Sequence, residues 1–89
     1  MPKIAKIRAT SDFIKNLKIL PRNVQNAFHK KDLLFRQNPF DPALKTHKLK
    51  GKLRSLHAYS INYSYRVLFE FLTDDEVLYF DVGTHEIYK

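Results

Sequence analysis

With 89 residues, 44% hydrophobic and 13% aromatic, the chain is long enough for one modest core and too apolar for intrinsic disorder. It contains no cysteine, which excludes a disulfide framework and a thiolate zinc site, and no apolar run near the roughly 20 residues that span a bilayer. The opening "MPKIAKIRAT" has no signal-peptide core, so a cytoplasmic protein forming a single domain over residues 1–89 is expected.

The net charge of +7 is unevenly spread. Residues 1–41 carry nine Lys/Arg against three acids, and residues 70–89 carry one against six. Residues 42–69 carry six (Lys45, Lys48, Lys50, Lys52, Arg54 and Arg66) against none. Such a stretch is either a solvated face kept soluble by lysines or a surface whose single-signed field attracts polyanions.

In chain order, "KIAKIRAT" reads as a short strand, its lysines suited to a sheet edge. Thr10 or Ser11 then offers a helix cap, with Asp12 near the positive end of the helix. Phe13, Ile14, Leu17 and Leu20 recur at helical spacing. Pro21 interrupts, and Val24, Ala27, Phe28, Lys31, Leu34 and Phe35 form the stripe of a second helix that Asn38-Pro39 ends. "NPFDPALKTHKLKGK" reads as a loop. Three strands follow: Leu53 to Ile61, Tyr65 to Leu72 and Glu76 to Val82. The last two are joined by the tight turn Thr73-Asp74-Asp75, and Gly83 releases the chain. The expected fold is α+β, in the order β-α-α-β-β-β, with a helical hairpin packed on a mainly antiparallel twisted sheet.

Of the four histidines, His29, His47, His57 and His85, no pair has the HxxxH or HExxH spacing of a helical metal site, so no metal is expected. A different set stands out: His47, Lys48 and Lys50 in the loop, Arg66 on the strongest strand, and His85 and Tyr88 at the end. Metal-free RNA cleavage uses the substrate's own 2′-hydroxyl. It needs a base, an acid for the departing 5′-oxygen, and cations around the phosphorane. Histidine titrates near neutrality and serves as either acid or base, arginine forks onto phosphate oxygens, and lysines neutralise neighbouring phosphates. Tyr88 could stack on a base. No cofactor is required. The plainer alternatives are that Arg66 pairs with Asp81 or Glu70 and that Tyr88 pins the tail. By spacing alone the chain is a basic nucleic-acid-binding domain.

"HKLKGKL", "YSYRVLFEF" and "VLYFDVGTHEIY" together resemble the RelE/ParE superfamily of bacterial toxins, and the Gly83-Thr84-His85 ending resembles its YafQ-like branch. "IRATSDFIKNLKIL" is similar to the superfamily's opening strand and first helix, so the resemblance covers nearly the whole chain. It implies a compact α+β fold with a short C-terminal helical turn. It also implies the toxin of a type II toxin–antitoxin system: an endoribonuclease that cuts mRNA, commonly in the ribosomal A site, and is silenced by a cognate antitoxin. ParE-like members share the fold and poison gyrase without the catalytic set. By resemblance, His85 is the catalytic histidine, Arg66 contacts the scissile phosphate, His47 is the histidine of the loop, and Tyr88 is the terminal aromatic. Lys48, Lys50, Lys52 and Arg54 fall in the RNA-binding loop. Ser60 and Ser64 stand where YafQ-like members carry a histidine and an aspartate, and His57 and Tyr59 lie near the lysine positions of RelE-like members. The resemblance assigns His57 no role.

Overall fold

The computed structural model describes residues 3–88, with His85 and Tyr88 described by backbone alone. The elements run β1 (Lys6–Ala9), α1 (Ser11–Lys18), α2 (Arg22–Gln37), β2 (His47–Lys48), β3 (His57–Ser60), β4 (Arg66–Phe71) and β5 (Glu76–Gly83). Short 3-10 turns lie at Pro42–Leu44, Gly51–Leu53 and His85–Tyr88. The sheet order is β1-β5-β4-β3-β2, with β1 parallel to β5 and every other neighbour antiparallel. The α+β architecture is the expected one, and the expected strand at "KIAKIRAT" is the edge strand β1.

Local chemistry explains the helical hairpin. Thr10 is the N-cap of α1: its hydroxyl oxygen accepts from the Phe13 N–H at 3.0 Å and donates to the Phe80 carbonyl at 2.6 Å, tying the helix start to β5. Pro21 has a fixed φ and no N–H, so it closes one helix and is the N-cap of the next. Phe13, Val24, Phe28 and Phe35 are buried, as the helical period requires, whereas Ile14 lies on the flank and is exposed.

The hairpin packs on one face of the sheet. Phe35 stacks on Tyr59 at 4.9 Å and meets Phe69 edge-on at 4.9 Å. Tyr59, Val67, Phe69, Val77, Tyr79 and Val82 complete that core. Alternation sends Ala58 and Leu68 to the opposite face, where Leu49, Leu53, Leu56 and Ile87 cover them. β4 is therefore buried on both faces, which is why "VLF" is apolar throughout.

Two expectations are corrected, and one feature is added. The strand expected from Leu53 begins at His57. Gly51 sits at φ +70° and starts a turn whose Leu53 folds down onto the second core. The expected loop contains β2, paired to β3 through His47↔Ala58 and Lys48↔His57. The hairpin of β4 and β5 carries a bulge opposite Leu68/Phe69, which leaves Phe80 exposed.

Candidate nucleic-acid interface and catalytic cleft

The site is built on the sheet face opposite the helices. Directly paired residues in antiparallel strands project to the same side. Arg66 pairs with Ser60 on one flank and Gly83 on the other. This register brings the centre of the sheet to the start of the C-terminal turn. His47 pairs with Ala58, and Ala58 with Leu68, so His47 shares this face with Arg66. Two strand spacings and two residues along the strand separate their Cα atoms by roughly 12 Å.

Arg66 is half-buried and held by the loop between β3 and β4. Its Nη1 donates to the Asn62 carbonyl at 2.6 Å, the Tyr65 carbonyl at 3.1 Å and the Ser60 hydroxyl at 3.2 Å. Ser60 in turn donates to the Asn62 carbonyl at 2.7 Å. Neither Asp81 nor Glu70 is among these partners; Asp81 instead accepts from the Asn16 side chain at 2.7 Å. Among the described residues, every side-chain hydrogen bond of Arg66 runs through Nη1, so Nε and Nη2 keep their donors. A cleft of about 510 Å³ opens beside Arg66, walled by Tyr63, Ser64, Thr84 and Glu86.

Gly83 lets the chain reach this cleft. A Cβ there would stand 2.8 Å from the Cγ2 of Ile87, which the 3-10 turn folds back toward the sheet. Ile87 packs with Leu56, Ala58 and Leu68, anchoring the turn on that face. The turn begins at His85, one residue beyond Thr84 in the cleft wall. The side chains of His85 and Tyr88 lie outside the described residues.

His47 is exposed, and its Nδ1 lies 3.1 Å from the Lys45 carbonyl oxygen. A carbonyl only accepts, so Nδ1 carries the proton in the neutral ring and Nε2 keeps its lone pair. Lys50, Lys52 and Arg54 are exposed around the Gly51–Leu53 turn, whose Leu53 packs on the same face of the sheet. Lys48 does not join them. The two-residue strand alternates, and Lys48 pairs with His57 on the helix side.

His57 and Tyr59 also belong to the helix side. His57 stacks on Phe69 at 5.6 Å and meets Phe71 edge-on at 5.1 Å. Its Nδ1 is buried without a hydrogen-bond partner. Burial first, then the charges of Lys48 and His47, hold its pKa below the ordinary histidine value. Tyr59 is fully buried, and its hydroxyl lies 2.9 Å from that of Tyr79, which donates to Asp32 at 2.7 Å. Burial pushes both phenols up and keeps them protonated. Among the described residues, no three His, Cys, Asp or Glu side chains converge in a way that could hold a metal ion, and no helix is long and apolar enough to cross a membrane.

No protein-family profile and no curated sequence matches the chain. Solved structures do. YafQ in the DinJ–YafQ toxin–antitoxin complex of E. coli superposes with a TM-score of 0.73 at 19% identity, over 91% of this chain and 92% of that one. The RelBE2 toxin–antitoxin complex of Mycobacterium tuberculosis gives 0.74 at 17%, over 96% and 100%. A YoeB/ParE toxin of Agrobacterium tumefaciens gives 0.76 at 13%, over 90% and 98%. The chain has the RelE/YafQ-like toxin fold. Within that fold, Tyr63 is the cleft residue to which motif reading gives no role. It sits in a polar loop with no periodic signal, and only the packing of the C-terminal turn brings Thr84 and Glu86 into the same cleft.

Proposed function

We propose that this chain is the toxin of a type II toxin–antitoxin pair and acts as a metal-independent endoribonuclease on mRNA at the ribosome. The observation that carries the reading is Arg66. It is fixed through one nitrogen and keeps free donors at the edge of a cleft that the His85 turn borders. His47 is the base: its Nε2 lone pair takes the proton of the RNA 2′-hydroxyl. The 2′-oxygen attacks the adjacent phosphorus, and Arg66 stabilises the charge on the phosphorane. The bond to the 5′-oxygen breaks, and His85 as general acid protonates that leaving oxygen. The products are a 2′,3′-cyclic phosphate and a 5′-hydroxyl. Lys50, Lys52 and Arg54 bind the RNA backbone, and Tyr88 positions a base. An acidic antitoxin segment folding onto this basic face would silence it.

The test is induction in a bacterial host with primer extension on an abundant message, comparing wild type with His85→Ala. Discrete new 5′ ends and growth arrest are expected, both lost in the variant while the fold is retained. Growth arrest without cleavage, unchanged by loss of both His85 and Arg66, would instead identify a ParE-like poison of a protein target. A specific observation keeps that second reading open: Ser60 and Ser64, which flank Arg66, supply hydroxyls where the YafQ-like pattern supplies a histidine and an aspartate.

A further inference from the structure

Tyr63 is the most exposed large hydrophobic residue among those described, with 93% of its surface in water. A lone exposed aromatic at a hairpin tip usually needs no explanation. Three observations set this one apart.

First, the loop that presents it is locked. The Asn62 side-chain oxygen accepts from the backbone N–H groups of Ser64 at 3.0 Å and Tyr65 at 2.9 Å. The Ile61 and Asn62 N–H groups both donate to the Tyr65 carbonyl, at 2.9 and 3.4 Å. The Asn62 carbonyl accepts from Arg66 and Ser60. Every neighbour of Tyr63 in the loop is thus tied down, and its ring is held out on a rigid stalk. Second, Tyr63 walls the same 510 Å³ cleft as Arg66, three residues along the chain from it. Third, it lies within residues 42–69, which hold no acid.

We infer that Tyr63 is a stacking platform for a base of single-stranded RNA, next to the phosphate that Arg66 holds; this rests on the ribonuclease reading and deepens it. Single-stranded RNA is recognised by splayed bases that stack on aromatic faces while cations follow the backbone. A preorganised ring costs little entropy on binding. The same loop carbonyl that fixes Arg66 sits next to Tyr63 in sequence, so the phosphate and base subsites are set by one piece of backbone. Tyrosine also anchors protein interfaces, but its setting here, a cationic stretch beside a phosphate fork, fits a nucleic acid.

The probe is a short 2′-O-methyl RNA of mixed sequence, which lacks the attacking hydroxyl, carrying one 2-aminopurine. Affinity and emission are compared for wild type, Tyr63→Leu, Tyr63→Phe and Arg66→Ala over a salt series. Tyr63→Leu should weaken binding about tenfold and relieve the quenching of the stacked base, while Tyr63→Phe retains both. The salt slope should stay unchanged in the two Tyr63 variants and fall by about one in Arg66→Ala. The ring is exposed, so its replacement leaves the core intact, which thermal melts of each variant check. If Tyr63→Leu binds and quenches as wild type while Arg66→Ala is weakened, stacking is overturned and the phosphate site stands. If wild type does not bind the probe at all, the ribonuclease reading and this inference fall together. If Tyr63→Leu loses a protein partner but no RNA affinity, the RNA assignment is overturned.

Discussion

At the scale of single residues, the chain's two glycines do different things. Gly51 is needed for its left-handed φ of +70°, with open space around it. Gly83 is needed for what it lacks, because a Cβ would collide with Ile87 at 2.8 Å. Gly83→Ala should therefore destabilise the fold by about 1–3 kcal/mol, the usual cost of overpacking, and reduce RNA cleavage by displacing the turn that carries His85. Urea denaturation checks the first effect, and the clash predicts non-additivity: Gly83→Ala/Ile87→Ala should be no less stable than Ile87→Ala alone. The sequence marks Gly83 as the end of a strand. It does not reveal Ile87 as the reason, because the two meet only when the turn folds back. The same holds for His57. Its neighbours in sequence, Leu56 and Ala58, belong to the core on the other face, yet strand pairing places His57 on Phe69 and leaves Nδ1 without a partner.

At the scale of elements, α2 is bound to the sheet by polar as well as apolar contacts. Tyr79 on β5 links Tyr59 on β3 to Asp32 on α2, and Asp32 also pairs with Arg36 at 3.0 Å. Tyr79→Phe would remove the donor to Asp32 and the hydroxyl facing Tyr59 in a buried setting. A loss of about 1–3 kcal/mol is expected, read as a lower urea midpoint with an unchanged slope. RNA cleavage should be unaffected, since this network lies on the helix side. Helix periods, the proline between the helices and the alternation in β4 and β5 are strong local signals, and those elements are legible in the sequence. β2 is not. Two residues carry no period, and they are extended only because β3 supplies their hydrogen bonds. Lys48 is separated from His47 for the same reason: membership of a strand, however short, sends adjacent side chains to opposite faces.

At the scale of the whole molecule, the exposed cations around the Gly51–Leu53 turn flank the Arg66 face. RNA affinity should fall steeply with salt. Replacing Lys50, Lys52 and Arg54 together by Ala should lower the slope of log K against log salt by up to about three, and weaken binding evenly across RNA sequences. Filter binding at several salt concentrations checks both. The sequence by itself determined the class of the fold, the two helices and their capping, the core aromatics, the basic stretch and the residues of catalytic type. These follow from local periodicity, composition and turn chemistry, which act over a few residues. Only the tertiary structure decided which of those residues share a face. Pairing register puts His47 with Arg66 and sends Lys48, His57 and Tyr59 to the other side. Packing of Ile87 on Leu68 forms the cleft and draws Tyr63, Ser64, Thr84 and Glu86 into it. Register and packing are long-range: β4 meets β5 through a bulge and β2 through β3, and a shift of one residue in either would reverse every side chain on the strand.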